Sequence, residues 1–122
     1  MRILLVESEP RIIHFIAKGL CEQGYEVDLA TEGSSACYLA AANEPDIVIL
    51  GDPWPFQDPH SVCRNLRGAD FGQPILRVTE SDSADDRAAA LDAGADDTIR
   101  RPFDFCEFPR LGSRSDEYRA LS

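Results

Sequence analysis

Four branched apolar residues, Ile47-Val48-Ile49-Leu50, run unbroken between Pro45-Asp46 and Gly51. A run without polar alternation cannot keep one face in water. It reads as a strand buried on both faces, as in a parallel sheet covered by helices on each side. In open sheets of that kind, chemistry sits just beyond the carboxyl ends of the strands. Here that place opens with Gly51, which has no side chain, followed by Asp52-Pro53-Trp54-Pro55-Phe56.

The rest of the chain supplies partners for such a strand. Arg2-Ile3-Leu4-Leu5-Val6-Glu7 is a second short buried strand ending in an acid. Ser8 offers an N-cap with Pro10 in the first turn of a helix that carries Ile12, Ile13, Ile16, Ala17 and Leu20 inward. Residues 25–30 alternate as a half-exposed strand does, and 33–43 form an alanine-rich helix with Ala36, Leu39 and Ala40 on one face. A helix over 60–67, a strand over 75–79, a helix over 84–93 and a short strand over 97–100 complete the pattern. Ser81 or Ser83 can cap the helix at 84, with Ala88, Leu91 and Ala89 expected to face inward. Strand and helix alternate throughout, which predicts an α/β domain with right-handed crossovers. Pro109 and Gly112 interrupt the last segment, so the domain is expected to span 1–108, with a shortened or displaced last helix and an irregular tail over 109–122.

Composition narrows the function classes. Twelve basic against 22 acidic residues leave a formal charge of −10, which disfavours direct nucleic-acid binding. Cys21, Cys37, Cys63 and Cys106 are dispersed, with no paired spacing and no nearby histidine. They read as reduced, mostly buried thiols, not as a disulfide or zinc framework. No apolar stretch is long enough to span a membrane, and the expected location is the cytoplasm. His14 and His60 lack partners at metal or catalytic spacing, and the acids at 82, 85 and 86 suit a solvated helix start.

Several blocks together resemble the receiver domain of bacterial two-component response regulators. They are Ile3-Leu4-Leu5-Val6-Glu7, Pro45-Asp46-Ile47-Val48-Ile49-Leu50, Val62-Cys63-Arg64-Asn65-Leu66-Arg67 and Pro74-Ile75-Leu76. Most specific are Leu91-Asp92-Ala93-Gly94-Ala95-Asp96-Asp97 and Arg101-Pro102-Phe103-Asp104, which resemble the winged-helix (OmpR-like) transcription-factor subgroup. The resemblance implies a flavodoxin-like three-layer sandwich with strand order 2-1-3-4-5. It also implies phosphoryl transfer from a partner histidine kinase onto an aspartate, with Mg²⁺.

Matched position by position, the family's apparatus is largely missing. Pro55 aligns with the proline four residues beyond the phosphoacceptor, which puts Gly51 at the acceptor position. The acidic pair after the first strand becomes Glu7-Ser8, and the lysine before Pro102 becomes Arg101, a planar guanidinium in place of a compact ammonium. Thr79 matches the switch hydroxyl, and Thr98 replaces the aromatic switch partner. Asp52 is the one acid that could stand in for the acceptor, but alternate strand residues face opposite sides, and a turn-capping role competes. An ion pair between Glu7 and Arg101 is expected. Trp54 and Phe56 either cap the core or form a lip for a ligand or partner. Arg77, alone in an apolar strand, is expected to snorkel or to pair with an acid.

The resemblance also implies a dimer face made by the fourth helix, fifth strand and fifth helix, on which Arg87, Asp92, Asp96, Asp97 and Glu107 fall. The expected function is therefore a non-enzymatic, degenerate receiver without a cofactor or bound Mg²⁺. It would act through dimerisation, a regulatory protein or a small ligand, and on DNA only through a domain absent from this chain. Two other readings stand beside it: a working phosphorelay receiver using Asp52 with an altered Mg²⁺ site, and a small-molecule sensor with its pocket beside Trp54.

Overall fold

A computed structural model of the protein describes residues 1–51, 58–79 and 83–100. In chain order it contains β1 (Arg2–Val6), α1 (Pro10–Glu22), β2 (Glu26–Ala30), α2 (Gly33–Asn43), β3 (Ile47–Leu50), α3 (Pro59–Gly68), β4 (Ile75–Thr79), α4 (Ala84–Ala93) and β5 (Asp97–Arg100). All strand pairings are parallel and the sheet order is β2-β1-β3-β4-β5. The expected last helix and the tail over 109–122 lie outside the described residues.

The central run behaves as its pattern predicts. Leu4, Val6, Val48, Leu50 and Ile75 pack on one face of the sheet against Ala36 and Ala40 of α2, Val62 and Leu66 of α3, and Ala90 and Ala93 of α4. Ile3, Leu5, Ile47, Ile49, Leu76 and Val78 pack on the other face with Ile16 and Leu20 of α1. No residue of β3 is more than 1% exposed. Each such side chain contributes about 1.5–3 kcal/mol through burial, before the entropy of ordering is subtracted.

Two local expectations are corrected. The N-cap of α1 is Glu9, whose carboxylate accepts the Arg11 N–H at 3.1 Å, and not Ser8. The reason lies in the preceding residue: Glu7 Oε2 accepts the N–H groups of Ser8 and Glu9, so the helix starts one position later, with Pro10 at its head. In α4, Ser83 is the cap, at 3.4 Å from the Asp86 N–H. Its buried face, however, is Ala90 and Ala93; Ala88 and Leu91 are exposed. Alanines make up half of this helix and all of its buried face, so no larger side chain marks an inward stripe. The small residues are chosen by how closely the helix approaches the sheet.

Arg67 of α3 ties two connections together at the amino end of the sheet, the one from α3 to β4 and the one from α4 to β5. Its guanidinium donates to Gly94 O at 3.0 Å, Phe71 O at 2.8 Å, Gln73 O at 2.7 Å and Asp96 Oδ2 at 2.9 Å. The same Asp96 oxygen accepts the Ile75 N–H at 2.8 Å, where β4 begins. Gly94 has φ +117°, and a Cβ there would lie 2.7 Å from Arg67 Cγ, so both conformation and space require glycine. Arg67→Ala should lower stability in urea by about 2 kcal/mol, because it strands three carbonyls and a half-buried carboxylate. A loss below a few tenths of a kcal/mol would show the hub to be ornamental.

The cysteines differ from the expectation that most are buried: Cys21 is exposed, Cys37 half-buried and Cys63 buried, while Cys106 lies outside the described residues. Cys21 sits at the solvent-facing end of α1, where no sheet residue covers it. Burial raises the Cys37 and Cys63 thiols above their ordinary range, and for Cys63 burial outweighs the opposing Arg67 and Arg64 charges. The folded state thus holds these protons more tightly than the unfolded chain. The stability this contributes is complete below the ordinary thiol pKa and declines as pH rises through it. Alkylation followed by peptide mapping should find Cys21 modified first and Cys63 protected until the pH passes the ordinary thiol range or the chain unfolds.

Candidate functional site

The carboxyl ends of β1, β3 and β4 share one edge of the sheet, and the chain continues from each in a different way. After β1 comes Glu7, whose N–H still extends the ladder to Ala30 O at 3.0 Å. Its side chain is 0% exposed. A buried carboxylate needs donors, and Oε2 finds them in the N–H groups of Ser8 at 2.8 Å and Glu9 at 3.1 Å.

After β3 comes Gly51, held by a 2.7 Å bond from its N–H to Val6 O. A Cβ built on Gly51 would lie 2.5 Å from Glu7 Oε1, 3.0 Å from Glu7 Cδ and 3.0 Å from Val6 O. The first distance is closer than real Cβ atoms come to any neighbour. Glu7 therefore occupies the space into which a side chain at 51 would project.

From β4, Arg77 enters the same region. It lies opposite Leu50 in the β3–β4 register. Its Nη1 donates to Leu50 O and Gly51 O, both at 3.2 Å, and to Val78 O. Sequence reasoning marked Arg77 as anomalous and gave it no role. The available signal was a lone guanidinium opposite the last residue of β3, but its destination depends on the cross-strand register. Thr79, half-buried, ends β4 on this edge, paired in register with Arg100.

Among the expected site residues, Glu7, Ser8, Gly51 and Thr79 thus lie at the carboxyl ends of adjacent strands. Asp52, Trp54, Phe56 and Arg101 lie outside the described residues, as does the expected Glu7–Arg101 pair. Among the described residues no three His, Cys, Asp or Glu side chains gather as a metal site.

The residues matched to a dimer face divide into two groups. Arg87 Nη2 pairs with Asp97 Oδ1 at 3.0 Å within the chain, and Nη1 reaches Thr98 Oγ1 at 3.5 Å. Asp92 is exposed on α4 beside Leu91. Asp96 instead turns to Arg67 of α3, and its carboxylate is spent inside the fold. Glu107 lies outside the described residues. His14 is exposed, and the His60 N–H is held by Asp58, the N-cap of α3.

A parallel sheet of this order with an acid, a glycine and a threonine at its carboxyl edge defines a class, and comparison with known proteins agrees. Residues 3–110 match the family model described as the response regulator receiver domain, and the chain belongs to that family. The response regulator MprA of Mycobacterium sp. (strain KMS) is 42% identical over 103 residues, covering 84% of this chain and 45% of that protein. MprA of Mycobacterium tuberculosis (strain ATCC 25618 / H37Rv) is 40% identical over the same length. These relatives agree with the OmpR-like resemblance, and the chain spans about half of their length. The BeF3-activated N-terminal receiver domain of Klebsiella pneumoniae RstA superposes with TM-score 0.85 at 28% identity, over 94% of this chain and 97% of that one. The receiver domain of the Pseudomonas aeruginosa sensor histidine kinase PA1611, with a magnesium ion coordinated in its active site cleft, gives 0.83 at 31%, over 93% and 95%.

Gly51→Ala should destabilise the protein by about 1–3 kcal/mol through overpacking. In a double-mutant cycle with Glu7→Ala, the penalty should shrink by about 1 kcal/mol or more, because the carboxylate is the main obstacle. Equal penalties in both backgrounds would place the obstacle in Val6 O alone.

Proposed function

We propose that this chain is a receiver domain that signals without accepting a phosphoryl group. The observation that carries the reading is the Glu7 carboxylate filling the space beside Gly51. At the end of the central strand the position matched to the phosphoacceptor has no nucleophile, and no side chain can be added there unless Glu7 moves. The direct phosphoryl attack needs a carboxylate oxygen free to face the donor. Glu7 does not substitute for it, because Oε2 is held by two backbone N–H groups.

Mg²⁺ does not fit this set of donors. It takes near-octahedral oxygen ligands including one or two carboxylates. Here Ser8 brings a hydroxyl where the family has an acid, Gly51 brings no side chain, and Glu7 is enclosed. The Arg77 guanidinium adds a positive charge at the β3 carbonyls, which further disfavours a cation there.

In this reading the domain is a cytoplasmic signalling module and not an enzyme, linked to transcription control as the resemblance to the winged-helix (OmpR-like) subgroup suggests. Output runs through a second copy or another protein. The exposed Asp92 and Leu91 of α4, together with the Arg87–Asp97 pair, are the described part of the face it would use.

Incubation with acetyl phosphate and Mg²⁺, followed by intact-mass measurement, should give no gain of one phosphoryl group. Gly51→Asp alone should also remain unlabelled, since its carboxylate meets Glu7. Glu7→Asp with Ser8→Asp and Gly51→Asp should gain label, because the shorter acid vacates the space. Labelling of the unaltered chain, traced to Asp52 by peptide mapping, would sink the proposal and favour the phosphorelay reading.

A further inference from the structure

Among the described side chains, most arginines of this acidic chain are already committed. Arg2 pairs with Glu26 and Asp28, Arg64 with Asp58, Arg67 with Asp96 and Arg87 with Asp97, while Arg77 is held by carbonyls. The two basic side chains that remain, Arg11 and Lys18, lie on one helix, and neither makes a hydrogen bond or ion pair among the described residues. His14 and Phe15 stand between them at three and four positions from Arg11, which places all four along the outer side of α1. All four are exposed, Phe15 by 51%. No acid interrupts the helix before Glu22, its last residue.

The acids that answer this stripe are on the same chain. Helices α2 and α3 contain no acidic residue. Helix α4 carries Asp85 and Asp92, both exposed, with the exposed Ala88 between them and Leu91 at its side. Arg87 of that helix does not neutralise them, because it is turned to Asp97 of β5. Arg11 and Lys18 are seven positions apart, and so are Asp85 and Asp92, a separation of about 10.5 Å along either helix. Laid antiparallel, the helices bring Arg11 to Asp92 and Lys18 to Asp85, with Phe15 over the small Ala88. The helix ends agree with that direction. Arg11 lies in the first turn of α1 and Asp92 in the last turn of α4, where each helix's own dipole disfavours such a charge. The antiparallel alignment puts each charge beside the opposite terminus of the other helix, which favours it.

The two helices cannot meet within one chain, because α1 packs on one face of the sheet and α4 on the other. We infer that α1 of one copy docks on α4 of a second copy, head to tail. A contact between two different surfaces closes into a ring or runs on as an open row, and does not end at a two-fold dimer. The formal charge of −10 repels copies at a distance, but at physiological salt that field decays within about 8 Å. Opposite charges in contact are screened less, and a single helix pair with exposed ion pairs makes a weak association. The inference names what meets the exposed side of α4 and holds whether or not the carboxyl edge accepts a phosphoryl group.

Sedimentation equilibrium of the unaltered chain, from about 10 µM to about 1 mM, should show a mass that rises with concentration. Arg11→Glu with Lys18→Glu should sediment as a monomer over that range and keep the far-UV circular dichroism of the unaltered chain, and so should Asp85→Lys with Asp92→Lys. A chain carrying all four reversals should associate again, because the charges then match with their signs exchanged. Two-fold contacts of α1 with α1 or of α4 with α4 give no such recovery. A chain that stays monomeric at every concentration would overturn the inference. So would association indifferent to the α1 reversals, or a fourfold variant that remains monomeric. If the unaltered chain stays monomeric but shifts its α1 amides on addition of hexaglutamate, the stripe serves another acidic partner and the second copy is ruled out.

Discussion

A carboxylate sealed from water dictates its own surroundings, and Glu7 does so at the end of β1. To remain buried it draws the N–H groups of Ser8 and Glu9 back toward the strand. That bend delays the start of α1 and moves its cap to Glu9. The other carboxylate oxygen lies where a side chain at 51 would begin, so the neighbouring strand must end in glycine. Arg77 then closes the gap from the far side by holding the β3 carbonyls. One buried acid thus links a helix start, a glycine and a displaced arginine, and together they replace what the resemblance leads one to expect at this edge.

The features that could be read from residue order are those with a short-range cause. The Ile47–Leu50 run, bounded by Pro45 and Gly51, is a periodicity signal, and the sheet centres on it. The alternation of strand and helix carries the topology with it. That the run ends in Gly51, a residue without a side chain, was also visible. What fills the vacancy was not visible, because it depends on how the chain turns after Val6. Arg77 was recognisable as an anomaly, but its partners lie across the sheet. Asp96 looked like a surface acid in a loop, and the arginine that claims it is 29 residues away. The buried face of α4 was misjudged because a helix of alanines carries no stripe to read.

The two ends of the sheet are organised differently. At the amino end, Arg67 satisfies three carbonyls from two connections, and Asp96 bridges it to the start of β4. That end is fixed by hydrogen bonds. At the carboxyl end the main chain itself is the acceptor, since Arg77 engages the Leu50 and Gly51 carbonyls.

The contact between Glu7 and Gly51 also has a consequence for the paths open to this chain under mutation. Any single change that gives position 51 a side chain meets Glu7 first, and the resulting protein is less stable than either neighbour in sequence space. A change at position 7 must come before it or with it. The order of events is therefore constrained, and the contact acts as a ratchet: shortening Glu7 opens the way to a larger residue at 51, while starting at 51 leads into a trough.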